Sequence, residues 1–79
     1  MRNAKVFIMK ELKFCERLTE VLKDSKLNQK EIANLLNIHE SNIPQYKSGH
    51  TQPSLQILMN LCEVLDVSAD YLLGLTYDY

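Results

Sequence analysis

The chain has almost nothing with which to turn sharply. Two glycines and two prolines serve 79 residues, whereas an all-β sandwich or barrel needs turn signals about every 8–12 residues. Helices joined by short connections are the alternative. This length makes one domain, and such a domain buries only about 60% of its unfolded surface. Every helix must therefore feed a single core.

The apolar spacing supplies the helices. Residues 11–25 place Phe14/Cys15, Leu18 and Val21/Leu22 on one face, at the i, i+3/i+4, i+7 spacing of a half-buried helix. Asn28 with Glu31 three residues on forms a capping-box pattern, followed by Ile32, Leu35 and Leu36. Asn37 tolerates the left-handed backbone that ends helices. Residues 40–47 make a second short helix with Ile43 and Tyr46 inward, stopped by Gly49. Ser54 caps Leu55–Leu65, so apolar that burial on most sides is expected. After a turn at Asp66-Val67, Ser68 caps Ala69–Leu73, which Gly74 ends. The fold class is all-α, five short helices.

The ends are less regular. Residues 6–9 are a continuous apolar run, and Met9 resembles a natural start, so residues 1–10 read as an extension or arm. Residues 75–79 alternate apolar and polar, a weak strand signal, and form a tail behind a domain spanning residues 11–74. No apolar run approaches the roughly 18 residues of a membrane span, and residues 4–9 are too short for a signal peptide. The expected compartment is the cytoplasm.

Residues 29–47 carry the functional information. Two short helices meet at a turn on Asn37, with Ala33 small enough for a close crossing. Ile32, Leu36, Ile38, Ile43 and Tyr46 are the apolar pegs that fix the crossing angle. This is the geometry of a helix-turn-helix. The run Leu27-Asn-Gln-Lys-Glu-Ile-Ala-Asn-Leu-Leu-Asn-Ile38 leads into Ser41-Asn-Ile43, Gly49 and Pro53-Ser54-Leu55. Leu65-Asp-Val-Ser68 and Tyr71-Leu-Leu-Gly74 complete the pattern. Together they resemble the phage repressor/Cro family of helix-turn-helix DNA-binding domains, over roughly residues 11–74.

The resemblance implies a lambda-repressor-like fold with residues 40–47 as the recognition helix in the DNA major groove. It implies that Gln29 meets a phosphate beside unpaired backbone N–H groups, which suits the positive end of a helix. Gln45 and Asn42 can pair with adenine through two hydrogen bonds, Ser41 can read several base edges, and Glu40 can accept from cytosine N4. Lys47 and His50 fall near the backbone. The partner is a double-stranded operator, and the function is sequence-specific transcriptional regulation, expected as repression by occlusion.

Three departures from the family pattern fall at four positions. The family often pairs an Arg in its first helix with a Glu late in the recognition helix; Leu22 and Lys47 stand there instead. Both partners are replaced together, so no buried charge is orphaned, and Lys47 is left for phosphate. Pro44 falls within the recognition helix, where a proline costs up to about 3 kcal/mol and kinks the chain. Glu40 repels a phosphate-rich groove unless it finds a cytosine.

One recognition helix reads few base pairs, so a homodimer on a two-fold operator is expected. Met59, Tyr71, Leu75 and Tyr77, with Tyr79 and residues 6–9, are the apolar side chains expected to remain exposed for it. The charge is polarised to match. Residues 1–26 hold seven bases against four acids, residues 27–52 two of each, and residues 53–79 four acids and no base. The alternative function is a protein-interaction module, an antitoxin-like partner binder that uses the apolar last helices. Lack of a basic surface favours that alternative.

Other chemistries lack their residues. Cys15, His39, His50 and Cys62 are separated by 24, 11 and 12 residues, which matches no compact zinc pattern. The cysteines read as small core hydrophobes. No nucleophile–histidine–acid arrangement or Gly-rich phosphate loop is visible, so neither an enzyme nor a metal, cofactor or small-molecule ligand is expected.

Overall fold

The computed structural model describes residues 11–79; the expected N-terminal arm and its apolar run lie outside them. Five helices follow in order, α1 (Phe14–Asp24), α2 (Gln29–Leu36), α3 (Asn42–Ser48), α4 (Leu55–Leu65) and α5 (Ala69–Leu73). No strand occurs among the described residues, so the fold is all-α.

Three helix starts are held by side chains at the expected positions. Asn28 Oδ1 accepts from the Glu31 N–H at 2.8 Å, and Glu31 Oε1 accepts from the Asn28 N–H at 2.9 Å. Ser54 Oγ accepts from the Ile57 N–H at 3.1 Å, and Ser68 Oγ from the Tyr71 N–H at 3.0 Å. Each such cap stabilises by about 1 kcal/mol. Left-handed residues end the four later helices, among them Asn37 at φ 56° and Gly74 at φ 95°, whereas Ser25 after α1 is extended. At Gly74 a Cβ would also stand 2.6 Å from Lys13 Cγ, so glycine is needed for space as well as for backbone.

Each helix sends one wholly buried aliphatic side chain into the centre: Leu18, Ile32, Ile43, Leu61 and Leu72. Phe14, Val21, Ala33, Leu36, Tyr46, Val67 and Tyr71 surround them. The half-buried cysteines Cys15 and Cys62 pack on this core as unpaired thiols. Burial pushes the Cys62 thiol up, against a weaker opposing hydrogen bond from its own backbone. No helix among the described residues is long and apolar enough to cross a membrane.

Two helix starts differ from the periodicity by more than one residue. Helix α1 begins at Phe14, not residue 11: Lys13 is its N-cap, outside helical geometry at φ −104° and ψ 13°, and its N–H donates to the Leu73 carbonyl at 3.3 Å. Helix α3 begins at Asn42, not residue 40. Residues 39–42 form a turn in which Asn42 N–H donates to His39 O and Ile43 N–H to Glu40 O. Pro44 is thereby the third helical residue, where no N–H has an intrahelical partner. The Glu40 carbonyl that its ring would crowd is already bonded by Ile43. The cost expected of an interior proline does not apply.

Helix α4 corrects a second expectation. Only Leu61 is fully buried, while Leu55 is 84% exposed and Met59 52% exposed. The helix packs chiefly against α2 and α5 and lies at the edge of the bundle. Tyr71 corrects a third. It is 6% exposed and belongs to this chain's own core, not to its surface. Its ring is covered by the tail, which forms no strand. Arg17 donates to the Tyr71 and Thr76 carbonyls at 2.7 and 2.8 Å. The Arg17 guanidinium lies 4.4 Å from the Tyr71 ring and 5.3 Å from that of Tyr77. Tyr79 stacks obliquely on Tyr71 at 4.6 Å, and its carbonyl accepts from the Ser68 N–H.

Candidate nucleic-acid interface

The α2–α3 unit is set by three small features. Ala33 is 1% exposed at the crossing, Asn37 reverses the chain, and Ile38 N–H closes α2 by donating to Ala33 O at 3.0 Å. Helix α3 then rests on α1 and α2 through Ile43 and Tyr46. Helical spacing puts Ser41, Pro44, Gln45 and Ser48 on the opposite, outward face. Glu40, Ser41, Pro44, Ser48 and His50 are exposed, and Asn42, Gln45 and Lys47 are half-exposed. Among the expected base readers, Ser41 and Gln45 share this face, and Glu40 stands in the turn before it.

Local hydrogen bonds arrange these groups. The Ser41 N–H donates to His39 Nδ1 at 3.1 Å, and the Ser41 hydroxyl lies 2.8 Å from the same nitrogen. His39 thus braces the turn that leads into α3, a role its isolated place in the sequence did not signal. The far end is tied by the Gln45 carbonyl, which accepts from His50 N–H at 3.0 Å and from Ser48 Oγ at 3.2 Å. Among the described residues the Gln45 carboxamide meets only Thr51 Oγ1, at 3.4 Å. A long contact of this kind leaves the amide able to turn to a base.

Gln29 and Lys47 come together. They line one shallow depression with Thr19, Leu22 and Lys23, where α1 meets α2 and α3. Leu22 and Lys47, the two departures from the family's ion pair, are neighbours there. No acid lines the depression with them. Lys23 was not singled out from the sequence; its place directly after Leu22 is the signal that marks it. Met59, Leu75 and Tyr77 belong instead to α4 and the tail.

Comparisons with known proteins agree with this geometry. A helix-turn-helix family model matches residues 18–72. The Bacillus subtilis protein YobD, described as an uncharacterised HTH-type transcriptional regulator, is 37% identical over 65 residues, covering 82% of this chain and 58% of YobD. The crystal structure of a transcriptional regulator from Listeria innocua superposes with a TM-score of 0.74 at 32% identity, over 82% of this chain and 61% of that one. The restriction-modification controller protein C.AhdI from Aeromonas hydrophila gives 0.68 at 28% identity, over 77% and 92% of the two chains. The chain spans about half the length of the curated relatives it matches. Their names are those of regulators and not of enzymes. With the family model covering most of the fold and the motif residues in place, the chain belongs to the Cro/C1-type helix-turn-helix family.

Proposed function

We propose that this chain is a sequence-specific DNA-binding transcriptional regulator that represses by occupying a two-fold operator as a homodimer, with α3 in the major groove. The observation that carries the reading is the outward face of α3. Ser41 and Gln45 stand side by side on it, braced by His39 and the loop through Thr51. Gln45 and Ser41 read base edges, with Asn42 beside them and Glu40 set for a cytosine. Gln29, Lys47 and His50 hold the phosphates and fix the register. The relatives named as transcriptional regulators support the same reading. It requires no cofactor, metal or catalysis, and it keeps the chain in the cytoplasm beside the DNA.

The test is selection of a binding site from a random duplex pool, followed by mobility shifts at several salt concentrations. Two related half-sites about 34–36 Å apart are expected, with affinity that falls steeply as salt rises. Absence of sequence preference at low salt would sink the reading. The exposed Leu55 and Met59 favour a second one, a protein-interaction module that binds a partner through α4. That reading gains if the chain captures no DNA sequence.

A further inference from the structure

We infer that His39 restricts what Ser41 reads: with its proton drawn to His39 Nδ1, the Ser41 hydroxyl accepts hydrogen bonds from base amino groups and donates none. The inference rests on the DNA-binding reading and deepens it. It names the group that Ser41 meets on the operator, the N4 amino of cytosine or the N6 amino of adenine.

Two contacts converge on one nitrogen. The Ser41 N–H donates to His39 Nδ1 at 3.1 Å, and Ser41 Oγ lies 2.8 Å from the same atom. A backbone N–H only donates, so Nδ1 presents a lone pair and the imidazole proton sits on Nε2. With no hydrogen on Nδ1, the hydroxyl must be the donor in the short contact. A serine hydroxyl has one proton and two lone pairs. The proton is spent on Nδ1, and only lone pairs are left for a ligand. The backbone holds the two residues in this geometry, because Asn42 N–H donates to His39 O at 3.0 Å and Ile43 N–H to Glu40 O at 3.1 Å. His39 and Ser41 are both exposed.

An acceptor-only group discriminates in the major groove. Cytosine and adenine present amino donors there, whereas guanine N7 and O6 and thymine O4 are acceptors. Ser41 is thereby turned against guanine and thymine. It is also turned away from phosphate oxygens, which need a donor. Glu40 beside it is acceptor-only as a carboxylate. The two residues thus ask for the same kind of base group, while the Gln45 carboxamide offers donors and an acceptor further along the face.

The experiment measures affinities of the whole chain for operators carrying each of the four bases, in mildly alkaline buffer that keeps imidazoles neutral. The parent is compared with Ser41→Ala, His39→Ala and His39→Asn. The position read by Ser41 is the one whose preference Ser41→Ala removes. There the parent is expected to favour adenine and cytosine over guanine and thymine on one strand, by roughly two- to tenfold for a single hydrogen bond. His39→Ala frees the hydroxyl proton and is expected to admit guanine and thymine at that position alone. His39→Asn is expected to keep the preference, since an asparagine side chain accepts from the N–H two residues on. Melting curves check the fold of each variant, and nitrogen NMR of the parent reads the imidazole proton, expected on Nε2. A proton on Nδ1, a preference for guanine or thymine, or an unchanged preference in His39→Ala overturns the inference and leaves the DNA reading standing. So does the absence of any position that responds to Ser41→Ala. A parent chain that selects no sequence overturns the DNA reading and the inference with it, and the imidazole signal distinguishes that result from a missing His39–Ser41 bond.

Discussion

Gln45 stands on the outward face of α3 with its carboxamide restrained only by the Thr51 hydroxyl. That weak tether makes it the side chain best placed to trade a local contact for two hydrogen bonds to an adenine. Gln45→Ala is expected to lose about 1–3 kcal/mol of discrimination at one position in each half-site. Affinities for operators altered at single positions measure this, and an unchanged preference would displace Gln45 from the groove. Pro44, one residue earlier, removes no helical hydrogen bond, because the third residue of a helix has no intrahelical carbonyl to reach. Pro44→Ser is therefore expected to change stability by less than about 0.5 kcal/mol, as for an exposed site without a special role. Urea unfolding reads the difference, and a clear gain would restore the interior-proline account. Single residues divide by whether their role is local in sequence. Asn28, Ser54 and Ser68 cap the helices that directly follow them, so they are legible. His39 braces the entry to α3 only through the shape of the turn, and Lys23 meets Lys47 only in a depression between α1 and α3; neither relation is written in adjacent residues.

Among the elements, α2 and α5 were legible at both ends because a side-chain cap begins each and a left-handed residue stops it. Helix α4 was legible in extent but not in environment. Its composition is nearly all apolar, and composition does not say how many neighbours a helix has. Tyr71 is the reverse case, a polar-tipped residue near the chain end that α1 and the tail enclose. The enclosure has a measurable consequence. Burial pushes the Tyr71 phenol up from 10.0, assisted by the negative charges of Tyr79 and Glu20 and opposed by Arg17. Tyr71 Oη also donates to Glu20 Oε2 at 3.3 Å. Between the unfolded and folded values the native chain holds more protons than the unfolded chain. Stability from this group is thus complete below pH 10 and declines as pH rises beyond it. Alkaline unfolding followed by circular dichroism is expected to begin above that pH, and Tyr71→Phe is expected to lessen the decline. An identical alkaline profile in the variant would show that the clamp does not disfavour the phenolate.

For the whole molecule, the arrangement of charge and apolar surface argues for two copies. The basic excess of residues 1–26 includes Lys23, which lies beside the reading unit. The acids Glu63, Asp66, Asp70 and Asp78 belong to α4, α5 and the tail, where an operator would repel them. Most of the exposed large apolar side chains lie on the same late elements, Leu55 and Met59 one turn apart on α4 and Leu75, Tyr77 and Tyr79 beyond α5, while Leu12 and Leu35 are exposed elsewhere. Large side chains left in water at this density are usually covered in the working assembly. On the proposed function a second copy is the expected occupant, since one α3 helix spans too few base pairs for a specific operator. The parent chain is expected to sediment as a dimer at high micromolar concentration. Leu55→Glu with Met59→Glu alters no buried core side chain, so the melting curve is expected to survive. The added charges would then face each other across the two-fold axis, leaving a monomer whose operator affinity falls at least tenfold. Half-site duplexes give the control, because binding to one half-site does not depend on the second copy. A double variant that stays dimeric and binds the full operator as before would move the interface away from α4. A parent chain that is monomeric at high micromolar concentration would count against a preformed dimer and leave assembly to the DNA.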